Sequence, residues 1–128
     1  MQLSGLIHAD LVGALAGLRH TDLFAISDSG LPVQPGVPVI DLGVVYGLPG
    51  FVSVLRPVLA TVDVEAAWVS KDIESQNPDI LRVLEEHVSP ERLDHDDFKS
   101  RIADCRFVVR TGEATPYANV ILRSGVPW

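Results

Sequence analysis

The sequence is short of cysteine, and its single one, Cys105, already argues against several classes of protein. One thiol supports neither a disulfide framework nor a clustered thiolate metal site, which suits a reducing, cytoplasmic setting. Cys105 follows a predicted helix and precedes an apolar strand, so we expect a small buried side chain there rather than a nucleophile.

Positive charge is also scarce, because 10 Lys and Arg residues stand against 17 Asp and Glu residues, giving a net charge of −7. The resulting field repels phosphate backbones and anionic membrane surfaces, so neither nucleic acid nor membrane is expected as a partner. No apolar run approaches the roughly 20 residues that span a bilayer. The N-terminal segment lacks the basic start of a secretory signal, and we therefore expect a cytoplasmic protein.

Familiar catalytic signatures are missing as well. The chain has no Gly-x-Ser-x-Gly, Gly-x-x-x-x-Gly-Lys or His-Glu-x-x-His segment, and no strand is followed by Gly-x-Gly-x-x-Gly. Nucleotide and hydride chemistry therefore have no visible support. A metal site built from two histidines and a carboxylate would need ligands from distant elements with no closely spaced pair. We expect neither a metal nor a cofactor.

The chain does have a high apolar content for its size, at 47% of 128 residues. This length is typical of one domain, which we place at residues 1–128. The apolar surplus favours a homo-oligomer in which part of that surface lies between subunits.

Apolar spacing and turn residues predict helices that alternate with strands, which favours an α/β layered fold. The predicted helices cover about residues 8–18, 51–59 and 78–88 and a short segment after Asp94, and the predicted strands cover 23–27, 39–42, 62–70, 107–110 and 118–123. Pro57 is expected to kink its helix or weaken its last turn, and Asp94 to cap the helix that follows it. The segment from Val88 to Asp94 leaves little room for a full strand.

Two titratable groups bracket one predicted strand: His20 precedes Leu23 to Ser27, and Asp28 follows it in a Ser-Gly-Leu-Pro turn. Loops at strand ends often carry catalytic groups, although a polar connection and an aspartate capping its own turn explain the pattern equally well. A straight five-residue strand rises about 17 Å, so His20 and Asp28 begin at its opposite ends. One pocket holds both only if the chain bends, or if a neighbouring subunit supplies one of them.

Further candidate residues are His95, at a predicted helix start, and the loop end Tyr117-Ala118-Asn119. The structural alternatives are a solvated helix-start histidine, a tyrosine packed on the core and an asparagine that closes a turn.

Three other polar residues are left outside the site. His8 and His87 fall at solvent-facing helix positions, and Glu113 lies in a Thr-Gly-Glu turn where its carboxylate can cap backbone amides. A structural role is sufficient for each of them.

A series of short segments occurs in order from one end of the chain to the other. They are Leu18-Arg19-His20-Thr21-Asp22, Asp28-Ser29-Gly30-Leu31-Pro32, Asp41-Leu42, Gly47-Leu48-Pro49-Gly50-Phe51, Val54-Leu55, Val64-Glu65-Ala66-Ala67, Asn77-Pro78, His95-Asp96-Asp97-Phe98-Lys99 and Arg110-Thr111-Gly112-Glu113-Ala114-Thr115-Pro116-Tyr117-Ala118-Asn119. Together they resemble the D-ribose pyranase and L-fucose mutarotase family, and the Asp-x-Gly-Leu-Pro turn favours the ribose pyranase branch.

The resemblance implies a three-layer α/β/α sandwich with a central mixed sheet, assembled into a homodecamer with a sugar site between neighbouring subunits. The family's catalytic histidine matches His20, and its sugar-binding positions match Asp28, His95 and the segment Tyr117-Ala118-Asn119. The implied activity is that of an isomerase, which interconverts cyclic forms of a free monosaccharide such as D-ribose without a cofactor.

That activity needs only acid–base groups, because opening a hemiacetal ring takes a proton from the anomeric hydroxyl and delivers one to the ring oxygen. An imidazole with an ordinary pKa of about 6.5 can serve in either direction near neutral pH. His20 would donate to the ring oxygen, and His95 would bind a hydroxyl or act as the second acid–base group. Asp28 would bind hydroxyls or orient the imidazole, and Asn119 would supply an amide. The alternatives are a mutarotase for L-fucose or another sugar, and a non-catalytic sugar-binding accessory protein of sugar uptake.

Overall fold

The computed structural model describes residues 1–128. The helices are α1 (Ala9–Ala16), α2 (Phe51–Leu59), α3 (Ile73–Gln76), α4 (Pro78–Glu85) and α5 (His95–Arg101), which continues into a 3-10 helix at Ile102–Asp104. The strands are β1 (Leu23–Ser27), β2 (Val39–Asp41), β3 (Val64–Ser70), β4 (Glu91–Leu93), β5 (Val108–Arg110) and β6 (Val120–Ser124). Every predicted helix and strand is confirmed, whereas α3 and β4 were not predicted.

The six strands form one sheet in the order β2-β5-β1-β6-β3-β4. Strand β5 runs parallel to both β1 and β2, and β4 runs parallel to β3. Strand β6 lies between β1 and β3 and is antiparallel to both. The predicted mixed sheet is therefore confirmed, and β6 is its one reversed strand.

This topology brings the carboxyl ends of β1, β3, β4 and β5 to one edge of the sheet, together with the amino end of β6. Asp28 follows β1 there, His95 follows β4, and Asn119 immediately precedes β6. In open α/β sheets, ligands bind in the crevice outside the carboxyl ends of the strands. We call this end of the sheet, where the carboxyl ends of β1, β3, β4 and β5 lie, the carboxyl edge. His20, which precedes β1, lies at the opposite, amino edge.

Side chains alternate between the two faces of the sheet, and both faces are covered. On one face, Phe24 and Ile26 of β1 pack into the larger of two apolar clusters, which also includes the buried stripes of α1, α2 and α4. On the other face, Ala25 joins a smaller cluster with Phe98 of α5 and Ile102 of the 3-10 helix. The three-layer α/β/α sandwich is thus confirmed.

Of two predicted helix N-caps, one is confirmed and the other is wrong. Asn77 caps α4 as expected, since its side chain accepts from the backbone N–H of Ile80 and Pro78 is the first helical residue. The predicted Asp94 cap is wrong, because no backbone amide of α5 bonds to its side chain. The Asp94 carboxylate instead accepts from Lys71 Nζ at 2.6 Å, and this contact raises the pKa of Lys71.

The segment before α5 forms the short edge strand β4, where little room for a full strand was expected. Its three residues pair in parallel with the end of β3, with Arg92 opposite Val69. Helix α2 ends at Leu59 as predicted, and Pro57, which has no N–H to donate, lies within its last turn.

Cys105 is buried, as predicted, with 7% of its surface exposed. Burial raises the pKa of its thiol to about 12, so the thiol stays protonated at neutral pH. No helix has both the length and the apolar character needed to cross a membrane.

Candidate active site

A cleft of about 460 Å³ opens at the carboxyl edge of the sheet. Three segments form its walls: the turn after β1, the first residue of α5, and the loop between β5 and β6. The lining residues are Asp28, Ser29, Gly30, Leu31, Pro32, His95, Glu113, Ala114, Thr115, Pro116, Tyr117 and Asn119. The structure therefore brings together four of the predicted site residues, which lie up to 91 positions apart in the chain.

Asp28 has two hydrogen-bonding functions. Its Oδ1 accepts from the backbone N–H groups of Gly30 at 3.0 Å and Leu31 at 2.8 Å, which is the predicted self-capping turn. Its Oδ2 accepts from Asn119 Nδ2 at 3.1 Å and faces the cleft-lining loop. The structural interpretation and the functional one are therefore compatible, because one oxygen holds the turn while the other joins the cleft.

Asn119 is held from both ends by the same residue. Its Oδ1 accepts from the backbone N–H of Asp28 at 2.8 Å, while its Nδ2 donates to the Asp28 carboxylate. Only 4% of Asn119 is exposed, so this reciprocal pair fixes the amide orientation in a nearly buried setting. The pair also ties the end of β1 to the start of β6.

His95 and Tyr117 also line the cleft, and they lie in contact with each other. Their rings meet edge to face with centroids 5.0 Å apart. His95 Nδ1 is buried and has no hydrogen-bond partner in the chain. Tyr117 has a φ of 57°, a left-handed backbone conformation that is uncommon outside glycine and concentrates at functional sites. This side of the cleft therefore combines a histidine ring whose buried Nδ1 lacks a partner with a tyrosine in a strained backbone conformation.

Ala118 does not line the cleft, although it was predicted as a binding position. Its side chain is completely buried in the larger apolar cluster. Because the chain turns between Tyr117 and Asn119, where Asn119 N–H donates to the Tyr117 carbonyl, the methyl group points into the core. Only the backbone of Ala118 is left for contact with a ligand.

His20 lies apart from this cleft. Strand β1 is regular from Leu23 to Ser27, so it separates His20 from Asp28 by its whole length. The His20 ring is about half exposed at the amino edge, where Nε2 lies 3.1 Å from Glu65 Oε2. The bend that could have brought His20 and Asp28 together within one chain is absent. A neighbouring subunit stays the predicted source of the missing group.

Glu113 is a cleft residue that was left out of the predicted site. Its Oε1 accepts from the backbone N–H of Phe51, the first residue of α2, at 2.9 Å, so the capping role considered for it is confirmed. Its Oε2 accepts from Thr115 Oγ1 at 2.9 Å. The Thr-Gly-Glu turn was the signal, but the sequence could not show that this turn borders the cleft.

Comparison with known proteins places this architecture in a family. The profile of the RbsD / FucU transport protein family matches residues 1–127. The chain is 46% identical to D-ribose pyranase 1 of Rubrobacter xylanophilus over 100% of both chains, and 45% identical to D-ribose pyranase 2 of Streptomyces griseus over 98% of both. The solved structure of Bacillus subtilis RbsD complexed with D-ribose superposes with a TM-score of 0.95 at 38% identity, covering 100% of both chains.

Proposed function

The chain belongs to the RbsD / FucU family, and from that membership we propose that it is an isomerase that interconverts the cyclic forms of a free monosaccharide, with D-ribose as the first candidate. Relatives at 36–46% identity over nearly their full length are D-ribose pyranases. The reaction exchanges pyranose and furanose rings, and their anomers, through the open-chain aldehyde.

The observation that carries the proposal is the convergence of Asp28, His95, Tyr117 and Asn119 on one cleft. Its volume of about 460 Å³ is ample for a monosaccharide, and its walls offer both donors and acceptors. A sugar presents several hydroxyl groups, each of which donates and accepts. Mixed polar walls on a rigid sheet edge suit such a ligand.

The chemistry balances with proton transfers alone. In ring opening, the anomeric O–H loses its proton to a base, C1=O forms, the bond from C1 to the ring oxygen breaks, and the ring oxygen receives a proton. Closure through a different hydroxyl repeats these steps in reverse. No electron acceptor or carrier is required, so the proposal includes no cofactor and no metal.

The cleft residues have distinct proposed roles in this reaction. The Asp28 carboxylate and the Asn119 amide bind sugar hydroxyls, and their mutual hydrogen bonds fix both groups before the sugar arrives. His95 binds a further hydroxyl or takes the anomeric proton. Tyr117 provides its ring as a wall and its hydroxyl as a partner, and the backbone of Ala118 completes the segment.

His20 is the proposed proton donor to the ring oxygen, and we propose that it enters the cleft of a neighbouring subunit. We propose that the copies assemble into a decamer. Two features support an assembly of several copies. His20 is about half exposed at the edge opposite its own cleft. In addition, Val44, Val45, Tyr46 and Leu48 are exposed together on one loop, a patch that another copy of the chain would bury.

A second candidate is a non-catalytic sugar-binding accessory protein. The observation that favours it is the same separation, since one chain assembles Asp28, Tyr117 and Asn119 without His20. Binding by the cleft alone would then be sufficient. A cytoplasmic location belongs to both candidates and rests on the single buried, unpaired cysteine.

Saturation-transfer NMR on free D-ribose, with and without the protein, tests the proposal. Protein-dependent exchange among the pyranose, open-chain and furanose signals is the expected result, and L-fucose in a parallel sample tests the alternative substrate. His20→Ala should lower the exchange rate at least about 100-fold while leaving sugar affinity within about twofold. Binding without exchange in the wild-type protein would instead establish the accessory protein, and exchange of L-fucose alone would establish the mutarotase alternative.

A further inference from the structure

His20 is one of three side chains in contact in series at the amino edge, and none of the three lines the cleft. Its Nε2 is 3.1 Å from Glu65 Oε2, and Glu65 Oε1 accepts from Arg123 Nε at 2.8 Å. We propose that Glu65 is a positioning residue that holds the His20 ring through Nε2–H and so leaves Nδ1 as the atom that transfers the proton. This inference rests on the proposed function, in which His20 acts on the sugar.

The carboxylate is anchored from behind. The Arg123 guanidinium lies 5.6 Å from the ring centre of Trp68, and the Arg101 guanidinium lies 4.8 Å from the same centre. Trp68 is buried, and its indole N–H donates to Glu91 Oε2 at 3.2 Å. The buried Trp68 ring therefore supports Arg123, which in turn holds Glu65. An isolated ion pair on the surface has no such support.

The backbone on both sides of the contact is irregular. The register between β3 and β6 shifts between Val64 and Ala66, so Glu65 sits at a β-bulge, a feature that re-aims side chains and is frequent beside active sites. Thr21, the residue after His20, has a φ of 72°, which is a strained conformation for a β-branched residue. Its N–H donates to the Ser124 carbonyl at 2.9 Å, which ties this turn to β6. Glu65 and the residue next to His20 therefore both lie at irregular backbone positions.

The protonation state follows from the donors around Glu65. The hydrogen bond from His20 and the charge of Arg123 hold the pKa of Glu65 below its usual range, so the group is an anion at neutral pH. A carboxylate only accepts hydrogen bonds, and the ring nitrogen that faces it must therefore carry the hydrogen. Nδ1 makes no hydrogen bond within the chain and is free for a partner.

The proton balance of the proposed step is simple. A His20 imidazolium held in this way gives its Nδ1 proton to the ring oxygen of the sugar. The imidazole that results is neutral, and its Nε2–H still donates a hydrogen bond to Glu65. When the ring closes, the hydroxyl that attacks C1 returns a proton to Nδ1. Glu65 stays ionised throughout and never touches the sugar.

The first measurement is a long-range 1H–15N correlation spectrum of histidine-labelled protein without sugar, with His20→Ala used to assign the signal. We expect widely separated nitrogen shifts in which Nε2 is the protonated atom. In Glu65→Ala the two shifts should move towards each other as the tautomers mix, and in Glu65→Gln, which keeps an acceptor oxygen, they should move less. A His20 ring protonated on Nδ1 in the neutral form would overturn the proposal.

The second measurement is the split between kcat and KM for sugar exchange. Glu65→Ala should lower kcat about tenfold or more with KM within about twofold, because an orienting carboxylate acts on the proton transfer and not on sugar binding. Glu65→Gln should recover part of that loss. An unchanged kcat in Glu65→Ala, or a loss confined to KM, would overturn the assignment.

Glu74→Gln is the matched control. Glu74 is exposed, and its Oε1 accepts from Arg92 Nε at 2.8 Å, the same pair of atoms and the same distance as between Glu65 and Arg123. Its loss should change neither kcat nor the His20 spectrum. If the wild-type protein exchanges no sugar, the proposed function fails, and the spectra still decide whether Glu65 holds the ring.

Discussion

Mixing two impaired variants tests whether His20 and the cleft of one site come from different subunits. His20→Ala removes the proposed proton donor. Asp28→Asn removes one negative charge from the cleft but keeps a side chain that can make the turn to Gly30 and Leu31. Within one chain the two positions lie at opposite edges of the sheet, so neither substitution alters the surroundings of the other in that chain.

The size of the effect can be worked out in advance. Positioned proton transfer is worth about 10² to 10⁴ in rate, so His20→Ala should lose at least about 100-fold. A hydrogen bond to a charged group contributes roughly 1.5–3 kcal/mol, so Asp28→Asn should lose about 10- to 150-fold in kcat/KM. If each cleft takes its His20 from the next subunit, random one-to-one mixing leaves about a quarter of the sites with both groups intact.

The assay is saturation-transfer exchange of D-ribose by the co-expressed variants, with mixed oligomers verified by mass. The mixture should recover about a quarter of wild-type activity, far above either variant alone. The control mixes wild-type protein with the double variant, which should also give about a quarter if the site is shared but about a half if it lies within one chain. A mixture no more active than the mean of its two components would refute the shared site.

Three further predictions concern the scaffold. Gly112→Ala should lower the free energy of unfolding by about 1–3 kcal/mol, measured by urea titration, because a Cβ at Gly112 would lie 2.5 Å from the Leu48 carbonyl oxygen, a backbone atom. Glu113→Ala should cost about 0.5–2 kcal/mol in the same assay, and Glu113→Gln less, because the N–H of Phe51 at the start of α2 loses its acceptor. Cys105 should resist thiol reagents at pH 8 in the folded protein. Because its folded pKa of about 12 lies above the ordinary 9.0, the unfolded chain loses the proton first, and stability should fall as pH rises from 9 towards 12. Cys105→Ala should flatten that fall, and a pH profile identical to wild type would contradict the burial argument.

The candidate site was predictable as a set of residue types but not as a place. Asp28, His95 and Asn119 each follow or precede a strand, and strand ends can be read from local apolar patterns and turn residues. Their meeting depends on β6 lying between β1 and β3 in the reversed direction, which is a pairing of segments far apart in the chain. Local patterns carry no information about which strands pair.

At Asp94 and β4, the local sequence pattern does not predict the structure that forms. Asp94 occupies a capping position, but its carboxylate bonds to Lys71 because parallel pairing of β3 with β4 brings the ends of the two strands together. Strand β4 itself has only three residues and little apolar character, so it exists because the edge of β3 is available to it. Both are cases in which tertiary contacts outweigh local preference.

By itself, the sequence determined the α/β class, the bounds of most helices and strands, the burial of Cys105 and the family, because these depend on short-range periodicity and on ordered motifs. Only the tertiary structure decided that Asp28, His95, Tyr117 and Asn119 share one cleft, that Ala118 faces the core, and that His20 stands with Glu65 at the other edge. The physical reason is that a strand fixes the distance between its two ends, while strand order and direction decide which ends of different strands come together.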